Sequence, residues 1–131
     1  MKAHLAQLNL VLAWIGLLLG FISGSVLGMK FHRADWLGGY GSFPRRLYRL
    51  GHISFFGLAM VNLMFFFTAQ YLFVPSLPAS LASWGFAVGA VTMPVCCLVL
   101  AHNARFHALF AVPVSSLLAG GIFTLWEVIK L

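Results

Sequence analysis

Histidines are the residues of this chain best able to do chemistry. The chain has five of them, His4, His32, His52, His102 and His107. His52 begins the second long apolar segment, His102 ends the third and His107 begins the fourth. Neutral imidazole is the commonest metal ligand in proteins, and helical bundles build haem and metal sites from side chains on facing helices. The spacing therefore makes His52, His102 and His107 candidate cofactor ligands: a b-type haem would use His52 with His102 or His107.

Two other interpretations of these histidines remain open: they cap helix ends at the water interface, or they contact a lipid or quinone headgroup. Each of the three lies at the end of an apolar segment, where an imidazole can do either. No other set of residues in the chain suits redox chemistry. The sequence has no Walker A, HExxH, CxxC or CxxCH motif. Cys96 and Cys97 are adjacent, so we predict no disulfide between them.

Glycines recur at every fourth position along the first apolar segment. Gly16, Gly20, Gly24 and Gly28 fall on one face of a helix. Small residues at this spacing let two helix backbones approach closely within lipid. The pattern predicts a helix-packing groove that contacts either a neighbouring helix of the same chain or another subunit.

Few polar side chains interrupt the apolar segments. We expect Asn62 and Gln70 to hydrogen-bond to neighbouring helices, which is the usual role of amides within a membrane. Glu127 is the only carboxylate in the segments and lies near the end of the last one, close to Lys130. The absence of a charge in mid-segment argues against a proton pump or an ion channel.

Four apolar segments must position these residues. They span residues 8–28, 50–73, 81–101 and 108–129, and no Asp, Glu, Lys or Arg lies between Arg49 and Arg105. Each reaches the length of roughly 20 mostly apolar residues that crosses a bilayer, and a chain in hydrocarbon must form helices to satisfy its backbone. The first segment is longer than a signal-peptide core, so we predict that it too is a span. The sequence predicts an all-α integral membrane protein with four transmembrane helices.

Connections and charges predict how the helices are arranged. The prolines of residues 74–80 separate the second and third spans, and the short break after His102 predicts that spans three and four are antiparallel neighbours. Six basic residues fall on one side, against Lys2 and Lys130 on the other; the six are Lys30, Arg33, Arg45, Arg46, Arg49 and Arg105. We therefore predict an antiparallel bundle in the inner (cytoplasmic) membrane. The positive-inside rule predicts that the first loop is cytoplasmic and that both termini lie on the outer side.

The loop at residues 29–49 is the one sizeable segment outside the spans. Its glycines and aromatic residues are typical of a loop that lies on lipid headgroups or packs against a partner. The net charge of +6 comes largely from this region. Basic residues beside apolar spans indicate contact with membrane lipids rather than with nucleic acid.

These features favour a role in packing over a role in turnover. We predict a small, non-catalytic subunit of a larger membrane assembly, with other membrane subunits as partners and a respiratory or electron-transfer complex as the class of assembly. One alternative is a self-contained electron-transfer protein that binds haem b or a metal through the histidines. Another alternative is a small oligomeric transporter.

Overall fold

The computed structural model describes residues 2–72 and 76–131, and this part of the chain is all-helical. The four long helices are α1 (Lys2–Lys30), α2 (Phe43–Tyr71), α3 (Leu77–His102) and α4 (Ala111–Ile129). Short 3-10 turns at Trp36–Gly38 and Ala104–Phe110 lie in two of the connections. Four helical segments of the described chain are long and apolar enough to cross a membrane.

Three helices begin earlier than the sequence predicts, and proline and serine start two of them. Ser42 accepts a hydrogen bond from the Arg45 amide at 3.3 Å, and Pro44 lies in the first turn of α2. Ser76 and Pro78 act in the same way at the start of α3. Serine caps and prolines in the first turn are both favourable at a helix N-terminus. Helix α2 therefore takes in residues 43–49, which the sequence assigned to the loop.

Helix α1 begins at Lys2 rather than at residue 8, and the remaining described ends differ from the prediction by at most about three residues. Helix α4 begins at Ala111 rather than at residue 108, because the preceding residues form the 3-10 turn that Asn103 caps through the Arg105 amide at 3.2 Å. The predicted end of the second span at Phe73, and the Val74–Pro75 part of the predicted turn, lie outside the described residues.

Helices α2 and α3 form the middle of the molecule. The apolar membrane-spanning stretch is 33% buried in α2 and 44% buried in α3. In α1 and α4 the buried share is 11%. Helix α1 packs on α2 and to a smaller extent on α3, while α4 packs on α3. Within the described residues α4 has only slight backbone contact with α1 and α2. One side of the molecule is consequently open between α2 and α4.

Glycines allow the close approach of α3 and α4. A Cβ atom on Gly85 would lie 2.6 Å from the Ser116 carbonyl oxygen, and one on Gly89 would collide with Leu117. Across the interface, a Cβ on Gly120 would lie 2.9 Å from the Phe86 ring. This pair of helices uses small residues four apart, as tight helix pairs in lipid do.

A buried polar cluster fastens the other three helices together. Asn9 of α1 donates to the Asn62 side-chain oxygen of α2 at 2.8 Å and accepts from the Ser83 hydroxyl of α3 at 2.5 Å. All three side chains are fully buried. The expected interhelical bond of Asn62 is thus confirmed. Gln70 is exposed, and no described residue hydrogen-bonds to it.

Candidate functional site

The polar side chains that could take part in chemistry lie at one end of the molecule. We call this the basic end; it comprises residues 29–52, which include the first turns of α2, and residues 102–107. Contacts between helices show that these segments lie together: Ser23 of α1 reaches His52 of α2, and Tyr48 of α2 reaches His102 of α3. The predicted cofactor ligands His52, His102 and His107 all belong to this end.

His52 is held between α1 and α2 with its ring fixed on three sides. Ser23 Oγ lies 2.9 Å from His52 Nδ1, and the Phe56 ring meets the imidazole edge-on at 5.4 Å between centroids. The ring fits because residue 24 is glycine: a Cβ there would lie 2.8 Å from His52 Cε1. The glycine face of α1 and the histidine of α2 therefore form one packing unit.

The hydroxyl of Ser23 lies within hydrogen-bond distance of two partners. Its oxygen is 3.1 Å from the Gly20 carbonyl oxygen and 2.9 Å from His52 Nδ1. In the tautomer that binds metals, His52 donates from Nδ1 to Ser23, the Ser23 hydrogen goes to Gly20, and Nε2 carries the lone pair. In the other tautomer Ser23 donates to Nδ1 and Nε2 carries the proton.

His102 and His107 have different surroundings. Tyr48 Oη lies 2.9 Å from His102 Nε2, and the two rings meet edge-on at 5.9 Å. The Tyr48 hydroxyl occupies Nε2 of His102, so Nδ1 is the ring nitrogen that remains for a ligand. His107 is exposed on the 3-10 turn before α4 and has no hydrogen-bond or ring partner among the described residues. The structure does not join the three imidazoles into one site.

A small cavity lies between His52 and Tyr48. Its volume is about 130 Å³, and it is lined by Ser23, Leu27, Tyr48, Gly51, His52, Phe55, Pro94 and Leu98. Pockets for drug-sized ligands are roughly 300–1,000 Å³, so this cavity as packed is too small for a porphyrin. No group of three or more His, Cys, Asp or Glu side chains in the described chain could hold a metal ion.

The glycine face of α1 is occupied by α2 over most of its length. A Cβ on Gly16 would lie 3.1 Å from the Phe55 carbonyl oxygen, and one on Gly20 would lie 2.7 Å from the Phe56 ring. Gly24 meets His52 as described above. A Cβ on Gly28 would meet nothing within 4 Å. At three of the four positions the neighbour is a helix of the same chain.

A second candidate surface is the groove between α2 and α4, which we call the α2–α4 groove. It opens over Phe86 of α3 as two adjoining hollows of about 300 and 400 Å³ that share Met64, Thr68 and Val128. The Thr68 and Thr124 hydroxyls donate to carbonyls of their own helices. The groove therefore presents a mostly apolar surface, and the Tyr71 side chain brings a phenolic hydroxyl to the lining of the second hollow.

Two glycines with open space beside them lie at or near this groove. Gly121 lines it on α4, and Gly57 lies on the same face of α2 as Val61, Met64 and Thr68 by helical spacing. A Cβ on either glycine would meet nothing within 4 Å. Both lie near the middle of their helices.

Sequence reasoning missed several residues that the structure makes central. Arg45 and Tyr48 organise the basic end, while Asn9 and Ser83 complete the buried polar cluster. Gly85 and Gly89 carried a usable signal, since they repeat the four-residue spacing already recognised in α1. For Asn9 and Ser83 the only signal was a polar residue within an apolar run.

Comparisons with known proteins give no further guide to function. No family model, no curated protein and no solved structure matches this chain. Its function must be inferred from the contacts of its own residues.

Proposed function

We propose that this chain is a small, non-catalytic packing subunit of a larger membrane assembly and that its α2–α4 groove receives a transmembrane helix of another subunit. The observation that carries the proposal is a pair of open glycines: Gly121 lines the apolar groove on α4, and Gly57 lies one helical turn before Val61 on its α2 side. Small residues on exposed helix faces are what close helix contacts in lipid require.

The polar groups within the spans support a packing role over transport. Asn9, Asn62 and Ser83 use their side chains to join α1, α2 and α3. In the described chain no buried side-chain nitrogen or oxygen lacks a hydrogen-bond partner. A transporter needs polar or ionisable groups that face a substrate path. In the described spans the two asparagines bond to neighbouring helices, and hydroxyls such as those of Thr68 and Thr124 donate to carbonyls of their own helices.

The proposed arrangement is an antiparallel bundle in the inner membrane with the basic end in the cytoplasm. The six-to-two distribution of basic residues supports this orientation. Reporter fusions after Leu131 and at Gly39 test it: the first should report an outer location and the second a cytoplasmic one. A cytoplasmic C-terminus would overturn this orientation.

Bulky substitutions in the groove test the packing role. Gly57→Leu and Gly121→Leu fill the space that a partner helix would need, so each should shift the chain from an assembly to free protomer on a native gel of mildly solubilised membranes. Leucine favours insertion, so the chain should still enter the membrane. Val91→Leu, on an exposed face of α3, is the matched control and should leave the assembly intact. Unchanged migration of both glycine variants would refute docking in this groove.

The second candidate function is electron transfer through a haem or metal at the basic end. It is favoured by the Ser23 contact, which in one tautomer leaves Nε2 of His52 as a ligand, although the cavity beside it would have to widen for a porphyrin. An absorption spectrum of the purified protein with and without dithionite tests it. A Soret band and an α band that vanish in His52→Ala and in His102→Ala, but persist in His32→Ala, would support haem. No visible absorption and no bound metal would rule out both cofactors.

A further inference from the structure

Arg45 has a different role from the arginines beside it. It is 2% exposed, and its guanidinium lies 3.8 Å from the Tyr40 ring centroid, with the rings of Trp36 and Phe31 at 5.5 and 5.7 Å. It also donates to the carbonyl oxygens of Arg33 at 3.1 Å and Phe31 at 3.3 Å. Arg45 therefore holds the connection between α1 and α2 in a defined shape and is unavailable to a ligand.

The remaining cations of this region have no compensating carboxylate. Arg33, Arg46 and Arg49 are exposed, and Asp35 is the only acidic residue between residues 29 and 49. The only ion pair among described residues joins Lys130 to Glu127. Glu127 is in the last turn of α4, and Lys130 directly follows that helix. Arg46 and Arg49 lie one turn apart at the start of α2, so their side chains are neighbours on the helix surface. Arg49 donates one N–H to the Tyr40 carbonyl oxygen at 3.4 Å, and its other guanidinium donors remain for a ligand.

Exposed aromatic residues lie on the same stretch of chain as these arginines. Phe31, Tyr40 and Phe43 are all exposed, and the rings of Phe31 and Tyr40 also contact Arg45. Aromatic side chains of this kind lie at the level of lipid headgroups in membrane proteins. With these aromatic residues at the headgroup level, the arginines would lie at the depth of lipid phosphates. Guanidinium groups pair with phosphate oxygens through two parallel hydrogen bonds.

We propose that Arg46 and Arg49 form a binding site for the phosphate of an anionic phospholipid, supported by the loop that Arg45 holds in place. The site prefers lipids with net negative charge over zwitterionic lipids, because nothing else at this end balances the excess of positive charge. This inference goes beyond the packing role and does not depend on a partner helix.

Lipid selectivity of the full chain in reconstituted bilayers tests the site. Spin-labelled phosphatidylglycerol and spin-labelled phosphatidylcholine report how strongly each lipid is retained at the protein surface. The wild-type chain should retain phosphatidylglycerol in preference, and raising the salt concentration should reduce the preference through screening. The double variant Arg46→Gln/Arg49→Gln should lower it by roughly tenfold or more, given the usual attraction of each basic residue to an anionic surface.

The double variant Lys2→Gln/Lys130→Gln is the matched control, because it removes the same charge away from the proposed site. It should keep the preference. Equal retention of the two lipids by the wild type, or a preference that survives Arg46→Gln/Arg49→Gln, would overturn the proposal. So would a preference lost equally in the control. Added inorganic phosphate at millimolar concentration should not displace phosphatidylglycerol; displacement would assign the site to free phosphate instead.

Discussion

Two adjacent arginines show how much side-chain direction matters at the residue scale. Arg45 and Arg46 are identical in type and neighbours in sequence, yet Arg45 is buried under three aromatic rings and Arg46 is exposed. The direction follows from the cap at Ser42, which begins α2 and thereby sets the angle at which each side chain leaves the helix. Because the sequence assigned both residues to a loop, it offered no means of telling them apart.

Arg45→Lys should loosen the connection between α1 and α2. Lysine keeps the charge but lacks the planar group that stacks on Tyr40 and donates to two carbonyls at once. The loss of one stacked contact and one charged hydrogen bond should destabilise this segment by about 2 kcal/mol. Limited proteolysis in detergent should show faster cleavage between residues 31 and 42. Arg46→Lys is the matched control. Equal cleavage of the two variants would mean that the aromatic rings around Arg45 do not hold this connection in place.

Asn62 is the residue on which the contact of three helices depends. Asn62→Leu removes an acceptor from Asn9, whose remaining hydrogen bonds then lie in an apolar interior. We expect a loss of about 1–2 kcal/mol in the free energy of unfolding, near the upper range for interhelical hydrogen bonds in membranes. Unfolding by titration with a denaturing detergent measures it. Thr92→Val, which loses only a bond to its own helix at Val88, should cost less. Equal losses would mean that the cluster does not join the helices.

At the scale of elements, the existence of four helices followed from the sequence and their ends did not. Uninterrupted apolar runs can only be helices in lipid, so the spans were predictable. The sequence places Pro78 in a break between spans and Pro44 in a loop, although proline is also favourable in the first turn of a helix. The glycine face of α1 was also predictable, but its neighbour was not, since spacing alone does not say which helix it meets.

Substitutions along the glycine face distinguish its occupied part from its open end. Gly20→Leu places a branched side chain where the Phe56 ring lies, and we expect a loss of about 1–3 kcal/mol from overpacking between α1 and α2. Gly28→Leu makes the same change where no atom is near and should be nearly neutral. The denaturing-detergent titration again gives the comparison. A neutral Gly20→Leu variant would mean that α2 does not fill this face.

At the scale of the whole molecule, the opening between α2 and α4 is what the sequence could not show. In a soluble bundle an apolar face predicts burial, but in lipid the outward and inward faces of a helix are both apolar. Val61 and Val91 look alike in sequence, yet one lines the groove and the other faces outward from α3. Only the packing of α4 on α3, set by Gly85 and Gly89, leaves the groove exposed.

Contact within the α2–α4 groove is the central claim, and site-specific photocrosslinking in native membranes tests it most directly. A photoreactive residue at Leu125 lies in the groove, and one at Val91 lies outside it; the two native side chains are similarly exposed, at 59% and 56%. We expect Leu125 to give a protein adduct of discrete mass, identified by mass spectrometry as a chain with a transmembrane helix, and Val91 to give lipid adducts only. Lipid adducts alone from Leu125, or the same protein adduct from both positions, would contradict the account.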